Sequence, residues 1–446
     1  MKRRSALITI PALAFAQGQP DLKGILSNPG PAIIAIPDFK GSGDAAQWMN
    51  LFNQTVFDEI FNSAVLKVSP KSFYPKRIPQ QPQDFRQPVP GVPSDGLWLS
   101  DWAAEPVAAG WLAIGYTAVQ NGQIVLFGWL YNTAQKDLAN AQVFGKVYNG
   151  SLDDAGVRKV GREFAADILA KFGAKSLVGS KIFYVSNRSG SKEIWTMDYD
   201  GSNSKQLTKF ASIVTTPALS QDNSKLAMTS FLRGSPGITV ITADGGRRLT
   251  FVNPESSVVA TPEFTPDGKQ ILFSTKIASG FPNIFIAGAD GGGPTRLTSA
   301  RAVEVEPKVN PKNPSEVVFI SGRSGTGQLY KMNIDGTGVE RLTDGTGQVA
   351  NPCWHPDGKI VAFSWTRGFE PGNFNIFVMN VATKQYVQLT HGAGRNQNPT
   401  WAPDGVHLCY ASKQGRTTHI YSRMADGTQV KQLTTIGSNE MPVWSH

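Results

Sequence analysis

The histidines and cysteines are the residues of this sequence that could bind a metal or act in catalysis. There are five histidines and two cysteines, at His355, His391, His407, His419, His446, Cys353 and Cys409. Two cysteines are too few for a paired-cysteine zinc site. His355 falls in a predicted hairpin turn and His407 in a predicted strand, so the two do not hold equivalent positions. We therefore predict packed or solvated histidines, with no metal and no cofactor.

The two cysteines admit two interpretations. In an exported chain, Cys353 and Cys409 could form a disulfide, because oxidising compartments permit such bonds. Both also lie in apolar segments that are typical of strands, where cysteine acts as a small apolar side chain. The second interpretation is the one we expect.

The motifs of common enzymes give little support to catalysis. The Gly-x-Ser-x-Gly elbow of serine hydrolases does not occur in the sequence. The segment Gly345–Ala350 resembles a dinucleotide-binding loop only weakly, because it follows a strand pattern and precedes no helical one. We predict no catalytic residue. The alternative is a secreted enzyme that acts on a glycan or a peptide.

The N-terminus has the pattern of a secretory leader. Lys2, Arg3 and Arg4 precede a short apolar stretch that ends in Ala14-x-Ala16. We predict a signal peptide over residues 1–16 and export to the periplasm. No later apolar stretch reaches about 18 residues, so we expect no membrane insertion. The formal net charge is +9, but no other basic cluster is long enough to indicate nucleic-acid binding.

Two motifs share one period in the second part of the chain. A Leu-Thr pair begins at Leu207, Leu249, Leu297, Leu342, Leu389 and Leu433. A proline followed two residues later by an apolar residue is found at Pro217, Pro262, Pro307, Pro352, Pro399 and Pro442. Each unit contains four short strand patterns, with Asp-Gly turns such as Asp357-Gly358 between them. Four short antiparallel strands in about 45 residues are typical of a propeller blade.

The ends of the repeat predict six blades. The first unit, from about Lys181, lacks the opening Pro-x-Trp strand, whereas the last segment, Met441–His446, is an opening strand alone. Closing the ring with this last strand removes exposed sheet edges. We therefore predict that residues 176–446 form a six-bladed β-propeller whose first blade is completed by the C-terminal strand.

Residues 17–175 lack the repeat and favour a small α/β domain. Apolar runs predict strands at 32–36, 65–68, 111–116 and 124–130, and helical spacing predicts helices at 44–62 and 153–172. The expected fold is mainly β, with this domain before the propeller.

A leader, a small α/β domain and six blades with Pro-Asp-Gly-Lys turns resemble the TolB family of the Tol-Pal envelope system. The more specific part of this resemblance lies in the N-terminal domain, in Asp101-Trp102, the aromatic segment 128–131 and the segment 158–186. The resemblance implies a non-catalytic periplasmic scaffold that supports outer-membrane integrity and envelope constriction in division. It implies the peptidoglycan-associated lipoprotein, Pal, as a partner. TolA is a second implied partner through the N-terminal segment, although residues 17–34 do not match the family's TolA-contacting peptide and no His lies near Arg162.

The connections between blades supply the predicted binding site. Each connection runs from an outermost strand to the next innermost strand and ends beside the central channel, and such loops often carry binding residues. The candidates are Thr215, Thr216, Thr261, Glu304, Glu306, Asn351, Asn396, Asn398, Asn439 and Glu440. Their side chains suit hydrogen bonding to a polar or basic partner surface. In the TolB family Pal docks at such a mouth, so the resemblance implies the same site.

Overall fold

The computed structural model describes residues 32–63, 65–92, 95–255, 258–276, 280–367, 372–391 and 394–446. The predicted leader and the segment 17–31 lie outside these residues. Within the described ranges, no helix is both long enough and apolar enough to cross a membrane.

The N-terminal domain is built on one mixed sheet. Its strands are β1 (Ala32–Ala35), β2 (Lys40–Gly41), β3 (Leu66–Val68), β4 (Trp111–Gln120), β5 (Gln123–Asn132) and β6 (Gln142–Ser151). They follow the order β3-β1-β4-β5-β6, and β2 also pairs with β4. Strand β1 is parallel to its neighbours β3 and β4, whereas β5 is antiparallel to its neighbours β4 and β6.

Two long helices pack together with the sheet residues in one apolar core. The helices are α1 (Met49–Asn62), α2 (Leu99–Ala103), α3 (Leu138–Ala141) and α4 (Asp154–Ala170), with 3-10 turns at Gly43–Trp48, Lys71–Phe73 and Pro82–Asp84. Phe52 and Val56 of α1 and Val160 and Phe164 of α4 recur at helical spacing and are fully buried in this core. The predicted helices are therefore present, the first with a 3-10 start.

Strand β6 has no counterpart among the sequence predictions. Glycines at Gly145 and Gly150 interrupt its apolar pattern. A Cβ atom at Gly145 would lie 2.5 Å from the indole of Trp129, so the close approach of this ring requires glycine. The strand is thus specified by contacts with β5 and α4 rather than by its own strand propensity.

Six four-stranded antiparallel sheets form the blades of the propeller. Their innermost strands contact one another around the whole ring. From the innermost strand outwards, the strands are Asn439–Trp444, Lys181–Ser186, Glu193–Asp198 and Lys205–Gln206 in blade 1; Val214–Leu219, Lys225–Ser230, Gly237–Thr242 and Arg248–Leu249 in blade 2; Val259–Phe264, Gln270–Thr275, Asn283–Gly288 and Thr295–Arg296 in blade 3; Glu304–Val309, Glu316–Ser321, Gln328–Asn333 and Glu340–Arg341 in blade 4; Val349–Trp354, Ile360–Trp365, Asn375–Asn380 and Tyr386–Gln388 in blade 5; and Arg395–Trp401, His407–Gln414, Thr417–Met424 and Lys431–Gln432 in blade 6.

The last strand of the chain closes the ring. It pairs antiparallel with the strand Lys181–Ser186, and Trp444 lies opposite Ile182. The backbone N–H of Lys181 donates to Ser445 Oγ, and the N–H of Ser445 donates to the Lys181 carbonyl, each at 2.8 Å. The opening strand that the first repeat lacks is therefore supplied by the other end of the chain.

The Leu-Thr repeat satisfies a buried backbone donor. In blade 5 the N–H of Ile376, in the third strand, donates to Thr390 Oγ1 at 2.8 Å. Equivalent bonds are accepted by Thr208, Thr298, Thr343 and Thr434 in blades 1, 3, 4 and 6. In blade 2 the side chain of Asn253 takes this role instead and accepts from Ile238 at 2.7 Å. The repeated threonine thus meets a requirement of the blade itself.

The repeated tryptophans pack between blades. Trp354, Trp401 and Trp444 are at least 93% buried, with exposed fractions of 7%, 5% and 2%. They belong to three different apolar clusters, each shared by neighbouring blades. These rings are therefore core residues of the propeller.

Candidate functional site

The propeller has two unlike faces. On the turn face, tight turns join the first strand of a blade to the second and the third to the fourth. On the loop face, the remaining connections join the second strand to the third and each blade to the next. The N-terminal domain lies against the turn face, where Tyr199 donates to Glu59 and Gln429 Nε2 donates to the Phe61 carbonyl at 3.5 Å. The loop face therefore points away from the N-terminal domain.

Six residues near the start of the innermost strands surround the central channel. We call them the channel ring: Thr216, Thr261, Glu306, Asn351, Asn398 and Met441, each directly before the repeated proline. All have a positive φ, between 45° and 56°, a region that non-glycine residues seldom adopt. A β-bulge interrupts the pairing of every innermost strand at this point. Such bulges redirect side chains, here towards the channel.

Hydrogen bonds tie the channel ring together from blade to blade. The backbone N–H of Asn351 donates to Glu306 Oε2 at 2.6 Å, and the N–H of Glu306 donates to Thr261 Oγ1 at 3.3 Å. The N–H of Asn398 donates to Ser364 Oγ of the preceding blade at 3.2 Å. Neighbouring blades therefore hold the unusual backbone conformations in place, as expected of a rigid binding scaffold.

A charged pair lies one residue beyond the repeated prolines. Lys308 Nζ is 2.6 Å from Glu263 Oε2 in the adjacent blade. Burial raises the pKa of the Glu263 carboxyl, although Lys308 opposes this effect. Burial alone would lower the pKa of Lys308, but the Glu263 carboxylate outweighs it and the pKa is raised. Burial also raises the pKa of Glu306. The channel wall thus carries charged groups that are partly desolvated.

The channel leads towards a cleft between the two domains. A cavity of about 210 Å³ extends from the channel ring to Lys175 and Lys312. A second cavity of about 810 Å³ lies between the N-terminal domain and the turn face and is lined by the same two lysines. The two cavities therefore adjoin at the turn-face end of the channel.

Three of the predicted mouth residues are buried inside the blades, and for them the prediction of an accessible position is wrong. Glu304, Asn396 and Asn439 are 0%, 3% and 0% exposed. The β-bulge explains the error. In a regular strand Glu304 and Glu306 would share one face, but the pairing shifts between Val305 and Lys308, so Glu304 lies within the blade and Glu306 lines the channel.

These three side chains, each at or near the start of an innermost strand, form hydrogen bonds inside the propeller. Glu304 accepts hydrogen bonds from Ser321 Oγ at 2.9 Å and from Asn283 Nδ2 at 3.2 Å, and it pairs with Arg323. Asn396 Nδ2 donates to Asn375 Oδ1 at 3.2 Å, and Asn439 Nδ2 donates to the Ile436 carbonyl at 3.1 Å. Glu304 and Asn396 thereby fasten their own blades to the third strand of the preceding blade.

The other seven predicted residues lie at the loop-face end of the channel. Thr216, Thr261, Glu306, Asn351 and Asn398 belong to the channel ring, and Thr215 and Glu440 directly precede ring positions; all seven are partly exposed. Glu440 forms an ion pair with Lys192. Met441 completes the ring and was not predicted, because its type gave no polar signal. Its spacing before Pro442 was the signal that could have identified it.

Two of the candidate histidines make contacts within the propeller, and both cysteines lie in its strands. His355 Nε2 is 2.7 Å from the Gly405 carbonyl oxygen, and His407 Nδ1 is 2.6 Å from Asp404 Oδ2. Both cysteines are free thiols, so the expectation of unbonded strand residues is confirmed. Among the described residues, no three His, Cys, Asp or Glu side chains are grouped as metal ligands would be.

A polar cluster that the sequence did not predict joins the two domains. Arg162 of α4 lies between Glu59 of α1 and Asp200 of blade 1, and it pairs with both carboxylates. Its guanidinium also lies 5.3 Å from the ring centre of Tyr199. Burial raises the pKa of Glu59 despite the opposing effects of Tyr199 and Arg162. Burial also acts to raise the pKa of Asp200, but hydrogen bonds from Ser202 and the charge of Arg162 prevail and lower it.

Comparisons with known proteins agree with this architecture. A family model described as TolB beta propeller domain matches residues 171–368 and 342–446. A relative from Chlorobium luteolum, which bears the name Protein TolB homolog, is 32% identical over 244 residues. These residues cover 54% of this chain and 53% of that protein. The Tol-Pal system protein TolB of Desulfosudis oleivorans is 30% identical over 209 residues, or 47% of this chain and 45% of that protein. The chain thus spans about half the length of the curated relatives that it matches.

The fold of both domains has a counterpart among solved structures. TolB from Acinetobacter baumannii superposes with a TM-score of 0.72 over 94% of this chain and 97% of that chain, at 20% identity. This likeness concerns the fold. The family model, in contrast, matches the propeller sequence itself and covers more than half of the chain. The chain therefore belongs to the TolB β-propeller family.

Proposed function

We propose that this protein is a non-catalytic periplasmic scaffold that binds another protein at the loop-face mouth of its propeller. The channel ring is the observation that carries the proposal. Six blades each place one non-glycine residue with positive φ around the channel, and bonds between blades fix these residues. Strained backbone held in this way is common where a protein binds a ligand. The binding residues of the proposal are Thr215, Thr216, Thr261, Glu306, Asn351, Asn398 and Glu440.

The proposed partner is the peptidoglycan-associated lipoprotein of a Tol-Pal system. Membership of the TolB family supports this choice, as does the name of the Desulfosudis relative, a Tol-Pal system protein. In this proposal the chain is exported by its leader and supports outer-membrane integrity and envelope constriction in division. TolA is a second proposed partner, through the segment before residue 32.

A catalytic role has no specific observation in its favour. The histidines that line the cleft between the domains, His355 and His407, are engaged by a turn carbonyl and a turn carboxylate. A propeller enzyme acting on a glycan or a peptide therefore stays the alternative to a scaffold, and partner binding decides between the two.

The test is calorimetric titration of Pal, without its lipid anchor, into the purified protein. Asn398→Gly removes a side chain of the channel ring, while glycine still accepts the φ of 55°. We expect binding at least tenfold weaker, since one central contact can contribute about 1.4 kcal/mol or more. The matched control is Asn121→Gly, because Asn121 has a φ of 52° in an exposed hairpin turn of the N-terminal domain. Equal affinities for both variants would move the site away from the ring, and no binding by the unaltered protein would reject Pal.

A further inference from the structure

The turns of the propeller place aspartates on the turn face. In these turns an aspartate accepts a hydrogen bond from the backbone N–H two residues ahead, which fixes the turn. The distances between N and Oδ1 are 2.8 to 3.1 Å at Asp200, Asp222, Asp267, Asp290, Asp335, Asp357, Asp404 and Asp426. Many of the propeller's acidic residues therefore lie in turns on the face that contacts the N-terminal domain.

Basic residues dominate the loop face instead. Its exposed lysines and arginines are Lys209, Arg233, Arg301, Arg323, Arg395, Lys413 and Arg416. Within the described part of the chain, six of them lie outside ion-pair distance of any carboxylate, and Arg323 pairs with the buried Glu304. Acidic residues on this face are fewer, and three of them are engaged: Glu306 accepts a hydrogen bond from Asn351, Glu440 pairs with Lys192 and Asp344 pairs with Arg367. The two faces thus differ in charge.

We infer that the loop face receives a protein whose contact surface is acidic. This inference rests on the proposed function for the choice of face, and it replaces the polar or basic partner surface expected from the sequence. That expectation counted Glu304, Glu306 and Glu440 as available charges, whereas each is engaged by Arg323, Asn351 or Lys192. Opposite charge on two docking surfaces speeds association and selects between partners.

The apolar residues of the same face favour a protein over a nucleic acid or a lipid surface. Ile213, Val303 and Ile436 lie in the connections between blades and are 49%, 44% and 65% exposed. Phe281, in the connection between the second and third strands of blade 3, is 52% exposed. A protein partner can cover these apolar side chains, whereas a polyanion would leave them without contacts. The partner that fits presents carboxylates together with some apolar side chains.

Labelled decaglutamate is the probe for the charge of the face, with decalysine as its control and fluorescence anisotropy as the readout. Arg301→Glu/Lys413→Glu reverses two charges on the loop face, and Lys269→Glu/Lys359→Glu reverses two on the turn face. All four side chains are exposed, so both variants should fold and they change the net charge equally. We expect decaglutamate binding to weaken at least about tenfold in the loop-face variant and less than about twofold in the turn-face variant. Raising NaCl from about 20 to about 200 mM should weaken it at least about tenfold.

Equal losses in the two variants, or no decaglutamate binding at the lower salt concentration, would overturn the inference. The same variants are titrated with Pal to separate this inference from the proposed function. If Pal binds the unaltered protein and both variants alike, the acidic-partner inference fails and the proposed function stands. If Pal binds none of them while decaglutamate discriminates between the faces, the proposed partner fails and the acidic character of the true partner is supported.

Discussion

The hydroxyl of Thr390 accepts a hydrogen bond from the backbone N–H of Ile376, with 2.8 Å between Oγ1 and N. The same hydroxyl donates to Asn375 Oδ1 at 3.0 Å, and Thr390 is 4% exposed. Both functions of the hydroxyl are thus used inside the blade. In five of the six blades the threonine of the Leu-Thr pair therefore serves the fold, and function has to be sought at the positions that vary around it.

Replacing Thr390 should destabilise the protein, whereas replacing the corresponding Thr250 should not. Thr390→Val keeps the shape but leaves the N–H of Ile376 unpaired, at a cost of about 1–3 kcal/mol. In blade 2 the N–H of Ile238 donates to Asn253, and Thr250 is exposed. Thr250→Val should therefore stay within about 0.5 kcal/mol of the unaltered protein, and Asn253→Ala should reproduce the loss. Urea unfolding measures all three, and equal effects at Thr390 and Thr250 would contradict this role.

The sequence predicts the blades well because each blade repeats its own local signals. Asp-Gly turns, the Leu-Thr pair and the proline of the innermost strand recur together, so each repeat supports the interpretation of the others. Which side chain lines the channel is less predictable, because the β-bulge between Val305 and Lys308 breaks the alternation that would relate Glu304 to Glu306. Strand β6 was missed because Gly145 is required by Trp129, a residue of another strand.

Removing the last strand should destabilise the first blade. A chain that ends at Glu440 loses the pairing of Val443 with Phe183 and of Trp444 with Ile182, and it exposes a sheet edge. We expect a lower melting temperature and aggregation on heating, measured by circular dichroism and light scattering. The control ends at Ser445, keeps the whole strand and loses only His446 with its two hydrogen bonds to Asn223, so it should melt within a few degrees of the full chain. If the chain that ends at Glu440 melted like the full chain, closure of the ring by this strand would be ruled out.

The turn at Asp222 should contribute stability that depends on pH. Hydrogen bonds from Ser220 and Ser224 lower the pKa of Asp222 from 3.8 to about 2. A carboxyl with a lowered pKa in the folded state stabilises it above the unfolded pKa, and this contribution is lost as the pH falls from about 4 to about 2. Asp222→Asn should therefore lower the urea midpoint at pH 7, and its difference from the unaltered protein should shrink towards pH 2. A difference that stays constant over this range would contradict the expectation.

The predicted leader implies where the mature chain should begin. Lys2, Arg3, Arg4 and the apolar stretch after them should direct export, followed by cleavage after Ala16. Intact-mass measurement of the protein from a periplasmic extract should then give a chain that starts at Gln17. The matched cytoplasmic fraction should contain little of this form. An abundant species that retains Met1 would contradict the prediction.

We expect the side chain of Arg162 to stabilise the contact between the N-terminal domain and the propeller. It faces two carboxylates from different domains, Glu59 and Asp200, and the three side chains are 17%, 13% and 24% exposed. Arg162→Ala leaves both carboxylates without their cation in a poorly solvated site, so we expect a loss of about 1–3 kcal/mol. Calorimetry should show it as earlier unfolding of the N-terminal domain. The control on the same helix is Lys159→Ala, which removes an exposed pair with Glu163 and should cost about 0.5 kcal/mol or less.

A second substitution separates lost charge compensation from lost packing. If the uncompensated carboxylate causes the effect of Arg162→Ala, then adding Glu59→Gln should restore part of the stability, because it removes one of the two stranded charges. The Gln side chain still offers an oxygen to the Tyr199 hydroxyl, so that contact across the interface can persist. A double variant no more stable than Arg162→Ala would assign the loss to packing against the Tyr199 ring, which the guanidinium approaches to 5.3 Å. Equal behaviour of Arg162→Ala and Lys159→Ala would show that the cluster does not hold the domains together.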